Sequence, residues 1–79
     1  MIHIDREETA KLLKRFRTEN YLSHSDVAYF IGTVPNTVKQ WETLNCIPST
    51  ELLLRVSMLY GVKMEELLVT KGVLEDEID

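Results

Sequence analysis

Cysteine is nearly absent from this chain. Cys46 stands alone among 79 residues, so no internal disulfide can form. With no thiol partner it reads as a small, partly buried turn residue, and a reducing cytoplasm is the expected compartment. No apolar run approaches the ~18 residues that a membrane span needs, so no membrane association is expected. The opening MIHIDREETAKLL lacks the basic-then-apolar order of a secretory signal. Glycine and proline are also scarce, three and two, which excludes Gly/Ser linkers and Pro-rich segments. No stretch alternates strictly between apolar and polar residues, so no half-buried strand is expected. There is no excess of basic charge either: 9 Lys and Arg stand against 13 Asp and Glu, for a net charge of −4. That argues weakly against nucleic acid, whose phosphates usually require a basic surface. The acid is concentrated at the end, however. Residues 70–79 carry Lys71 against Glu75, Asp76, Glu77 and Asp79, whereas residues 1–69 hold 8 basic and 9 acidic residues.

What is present is helical punctuation. Asp5 followed by Glu8 has the spacing of an N-cap and its capping-box partner. The helix after it runs to about Glu19, with Leu13 and Phe16 inward. Ser23 and Asp26 repeat the capping pattern, Val27, Ala28 and Ile31 follow at helical spacing, and Gly32 suits the left-handed end of a helix. Pro35 fits the first turn of a third helix, where its missing N–H costs nothing. Val38 and Trp41 lie three apart and face inward together, so Trp41 is core rather than a stacking platform. The chain turns between Leu44 and Pro48. Ser49 caps a fourth helix whose inner stripe is Leu52, Leu53, Val56 and Tyr60, and Gly61 ends it. A short fifth helix contributes Met64, Leu67 and Leu68. The expectation is an all-α fold of five short helices. Residues 1–69 form the domain, and residues 70–79 form an acidic tail that is either disordered or part of a dimer contact.

The second and third helices are separated by a few residues around Gly32, which is the spacing of a helix-turn-helix. Phe16-Arg17, Leu22-Ser23, Ala28, Ile31-Gly32, Thr37-Val38, Trp41-Glu42, Pro48-Ser49, Gly61-Val62 and Glu65-Glu66-Leu67-Leu68 occur in order. In that order and spacing the chain resembles the lambda-repressor-like, or XRE-type (Cro/C1), helix-turn-helix family over roughly residues 9–69. The resemblance implies a cytoplasmic transcriptional regulator, most simply a repressor, that binds double-stranded DNA as a homodimer. It implies base contacts from Asn36, Gln40 and Thr37, and backbone contacts from His24, Arg17 and Lys39. Arg17 and Glu42 match a family ion pair that ties the first helix to the end of the third. Asn36 and Gln40 are four apart on one helix face, and their amides can pair with adenine N6 and N7.

The chain also departs from the family pattern. Pro35 takes a base-reading position without offering a donor. Val34 replaces the usual small cap of the third helix, the frequent glycine after Trp-Glu is missing, Lys63 stands where a capping serine is usual, and Tyr29 and Phe30 fill places usually charged or small. Taken alone, Asn36 and Gln40 read better as a solvated face, and it is the family pattern that favours base contact. Lys11, Lys14 and Arg15 are interleaved with acids and would add non-specific attraction to DNA. Leu54, Met58 and Leu59, with Val69, Val73 and Leu74, are the candidates for a two-fold dimer contact. His3, His24 and Cys46 lack metal-ligand spacing, and no nucleophile–base–orienter cluster is visible. Neither a cofactor, a small-molecule ligand nor an enzymatic activity is therefore expected. The alternative reading is a protein-interaction module, such as an antirepressor or an antitoxin component.

Overall fold

The computed structural model of the chain describes residues 1–72 and contains five helices and one two-stranded ribbon. Strand β1 is Ile2–Ile4, and the helices are α1 Arg6–Glu19, α2 His24–Ile31, α3 Pro35–Thr43, α4 Thr50–Tyr60 and α5 Met64–Leu67. Strand β2 is Thr70–Gly72. The architecture is the expected all-α one, with the ribbon as an addition. β1 and β2 are antiparallel, with Ile2 opposite Gly72, His3 opposite Lys71 and Ile4 opposite Thr70. No periodicity announces three-residue strands, so their pairing was not legible locally. Residues 70–72, read from sequence as the start of the tail, belong to this ribbon. None of the described helices is long and apolar enough to cross a membrane.

The helix ends show which local signals act. Asp5 caps α1, accepting the Glu8 N–H at 3.1 Å. The expected reciprocal bond from Glu8 is replaced, because the Asp5 N–H donates to Val69 O at 2.7 Å and Glu8 instead accepts from Lys11 Nζ at 3.3 Å. At α2 the box is complete: Ser23 Oγ accepts from the Asp26 N–H, and the Asp26 carboxylate accepts from the Ser23 N–H. Gly32 ends α2 at φ 78°, and Gly61 ends α4 at φ 72°. Ser49 caps α4 through the Leu52 N–H. The Glu66 carboxylate holds the Lys63 N–H at the start of α5, compensating in part for the missing capping serine. The glycine absent after Trp-Glu is replaced by Asn45, at φ 55°, a residue type that tolerates the left-handed region.

The core gathers Ala10 and Leu13 of α1, Val27, Ala28 and Ile31 of α2, Val38 and Trp41 of α3, Leu53, Val56 and Tyr60 of α4, and Leu67 of α5. Burying each large apolar side chain is worth about 1.5–3 kcal/mol, so this cluster is the main stabilising contribution. Phe16 stacks on Tyr60 with ring centroids 6.0 Å apart. α2 lies in close contact with both α3 and α4. Thr9, fully buried, accepts the Val69 N–H at 3.0 Å, which ties α1 to the chain leaving α5.

Candidate nucleic-acid interface

α3 is built as a one-sided helix. Val38 and Trp41 are buried, Asn36 and Lys39 are exposed, and Thr37 and Gln40 are half-buried. Pro35 sits at the first helical position. Val34 precedes it, and no side-chain cap bond forms at the start of α3 among the described residues. Thr37 N–H instead donates to Val34 O at 3.0 Å. The partial positive charge of this end therefore lies beside Asn36 without a side-chain cap.

The other end of α3 is clamped. Arg17 Nε donates to Glu42 Oε2 at 2.7 Å and Arg17 Nη2 donates to Glu42 Oε1 at 2.9 Å, a bidentate fork. Arg17 Nη1 also donates to Leu22 O at 2.9 Å, so one guanidinium joins the end of α1, the loop before α2 and the end of α3. The side chains are 11% and 4% exposed. Burial pushes the Glu42 carboxyl up, but the hydrogen bonds from Arg17 and His24 outweigh it and hold it below the ordinary glutamate range. The Glu42 bond raises Arg17 further above its ordinary value. Tyr60 lies in the same electrostatic neighbourhood, and burial followed by the Glu42 charge raises its phenol well above the ordinary range.

His24, expected at the DNA backbone, lies against the carboxylate end of the Arg17–Glu42 fork. Its Nε2 lies 3.1 Å from Glu42 Oε1. An ionised carboxylate can only accept, so Nε2 carries a proton and donates it to Glu42. The immediate role of His24 is to complete the shell around Glu42. Arg17 likewise spends its donors on Glu42 and Leu22. Of the basic residues expected to attract DNA, Lys11 pairs with Glu7 and Glu8, and Arg15 with Glu19. Lys14 and Lys39 have no ion pair among the described residues. Lys39 is thus the available cation on α3 itself. Cys46, expected to be partly buried, is exposed.

One contributor was missed by sequence reasoning. Arg55 on α4 donates to Ile31 O at 2.9 Å, satisfying the end of α2, and to Glu51 at 2.8 Å. The i,i+4 spacing from Glu51 was visible, but the contact with Ile31 had no local signal. The expected dimer residues divide. Leu54 and Met58 are exposed on α4, and Leu59 is half-buried against the core. Val69 instead lines a separate cleft with Glu8, Lys11, Leu12 and Arg15. Val73 and Leu74 lie outside the described residues.

No protein-family model matches the chain, and no curated protein matches it. Solved structures do. The hydroxypropylphosphonic acid epoxidase from S. wedmorenis aligns at 26% identity and a TM-score of 0.71, covering 80% of this chain and 34% of that one. The clp gene regulator ClgR from Corynebacterium glutamicum aligns at 22% identity and a TM-score of 0.70, covering 78% and 66%. A transcriptional regulator from Listeria innocua aligns at 22% and 0.71, covering 89% and 66%. The chain spans about a third of the epoxidase it matches. The helical unit with α2 and α3 as its helix-turn-helix therefore has a fold found in transcriptional regulators and also in part of an enzyme, and a shared fold does not carry function by itself.

Proposed function

We propose that the protein is a transcriptional regulator of the lambda-repressor-like, XRE type, most simply a repressor, which binds double-stranded DNA as a homodimer. The observation that carries this reading is the construction of α3. One face is anchored by Val38, Trp41 and the Arg17–Glu42 fork, and Asn36, Thr37, Lys39 and Gln40 are left at the surface. A rigidly held helix with amides four apart is what direct reading of a major groove requires. The uncapped start of α3 favours a phosphate beside it. Asn36 and Gln40 read bases with Thr37 beside them, and Lys39 contacts the backbone. Arg17 acts by holding the helix, and His24 stands beside it at the backbone. No catalytic role is assigned, since the likeness to the epoxidase takes in 34% of that chain.

Selection of random duplex DNA by the purified protein tests the reading. A recovered motif is expected. Gln40→Ala should relax preference at one position, whereas Lys39→Ala should weaken all sequences alike and reduce the salt slope by about 1. Folded protein that enriches no motif at low salt would sink it. A second reading, a protein-interaction module, is favoured by one feature: the exposed aromatic pair Tyr29 and Phe30, whose rings meet edge to face at 5.5 Å.

A further inference from the structure

The largest exposed apolar side chains of the two helices that flank the core on this side lie together. Phe30 of α2 lines a cleft of about 330 Å³ with Arg55, Met58 and Leu59 of α4. Tyr29 packs against Phe30, and Leu54 lies one turn from Met58 on the same face of α4. Tyr29 is 81% exposed, Met58 74%, Phe30 62% and Leu54 48%. Side chains of this size expose together on the order of 500 Å², which is near the upper end of what a monomer usually leaves open. None of these residues belongs to α3.

We infer that this α2/α4 surface is where a second copy of the chain docks, in a two-fold dimer centred on the Phe30–Met58 cleft. The choice of a second copy rests in part on the DNA reading, because a single short helix reads too little and paired half-sites need paired helices. Three features of the surface support it. The patch carries both a recess, floored by the half-buried Leu59, and projecting rings, so it has the two shapes a self-complementary contact requires. Its one charged lining residue, Arg55, is paired with Glu51 at 2.8 Å within the chain, so two copies meet there without a net charge of one sign. Two such patches remove on the order of 1,000 Å² from water, the lower bound for a specific interface. The Val69 cleft carries the weaker case, since three of its five lining residues, Glu8, Lys11 and Arg15, are charged.

Sedimentation equilibrium on the full chain, across the micromolar range, tests the inference. The wild type is expected to be a concentration-dependent dimer. Phe30→Glu and Met58→Glu, on different helices, should each raise the dimer Kd by about tenfold or more. Both positions are exposed, so circular dichroism should report unchanged helix content. Lys11→Glu, at the other cleft, should leave association unchanged. A wild type that stays monomeric throughout overturns the inference, leaving the face to a different protein, and so does a dimer unmoved by both substitutions. Duplex selection separates this failure from failure of the DNA reading. A monomer that still enriches a half-site defeats only the dimer surface, while a Met58-dependent dimer that enriches nothing defeats only the DNA reading.

Discussion

Glu42 accepts three hydrogen bonds from two partners, Arg17 and His24, in a nearly water-free site, and Arg17 pairs with no other carboxylate among the described residues. Removing one partner of such a pair strands the other charge. Glu42→Gln should therefore cost about 3 kcal/mol, read as a lowered midpoint in urea. Arg17→Met with Glu42→Met should recover much of that loss, because it removes both desolvated charges together. The motif that suggested this pair was visible in Phe16-Arg17 and Trp41-Glu42. The third member was not, because nothing in the spacing of His24 and Glu42 places them on facing helix ends. Tyr21 is a second case where one residue decides something local. It occupies the left-handed region at φ 56° and is almost wholly exposed, so its ring contributes little to offset the strain. Tyr21→Gly should stabilise the fold by up to about 1 kcal/mol in the same measurement.

Among the helices, identical sequence signals produce different bonds. Asp5 with Glu8 and Ser23 with Asp26 have the same three-residue spacing, but only Asp26 bonds back to its cap. The Asp5 N–H is claimed by Val69, a contact from the far end of the chain. Asp26→Ala should therefore lower the thermal midpoint more than Glu8→Ala does, and equal losses would show that the back-bond at α2 contributes nothing. The turn between α2 and α3 is constrained from α4. Gly32 is at φ 78°, and a methyl group there would come within 3.2 Å of Arg55 Nη1. Gly32→Ala should cost about 1–2 kcal/mol from backbone strain alone, measured by denaturation. The turn's glycine was legible in the sequence. The arginine that crowds it was not.

For the molecule as a whole, charge linkage frames the pH range of stability. Glu42 and Asp26 are both held below their ordinary values, Glu42 by Arg17 and His24 against the burial that opposes them, and Asp26 by the Ser23 backbone and hydroxyl. A depressed carboxyl adds stability that is complete above its unfolded value and is lost as pH falls toward its folded one. Tyr60 is raised by burial, so its contribution is complete below the unfolded phenol's range and is lost as pH rises above it. Thermal unfolding should thus be flat around neutrality and fall below pH 4.5, the ordinary glutamate value. Glu42→Gln should shallow the acid limb, and Tyr60→Phe the alkaline one. An acid limb unchanged by Glu42→Gln would place the linkage elsewhere. The overall negative charge is a poor guide to the α3 surface, because acids on α1 pair with Lys11 and Arg15 while Lys39 on α3 has no ion pair among the described residues.

The sequence alone determined what depends on neighbours a few residues apart. Caps, left-handed glycines, the inward faces of five helices and the helix-turn-helix spacing all follow from 3.6-residue periodicity and backbone hydrogen bonding, which act locally. Asn36, Gln40 and Lys39 could be named as surface residues of α3 for the same reason. Tertiary structure decided what depends on distant partners. It paired Ile2–Ile4 with Thr70–Gly72 and buried Thr9 under Val69. It also turned His24 toward Glu42, and it set Val69 apart from Met58 and joined Met58 to Phe30. None of these contacts has a period that a linear pattern can show. Each arises because packing one helix against another brings together side chains whose separation in sequence carries no information about their separation in space.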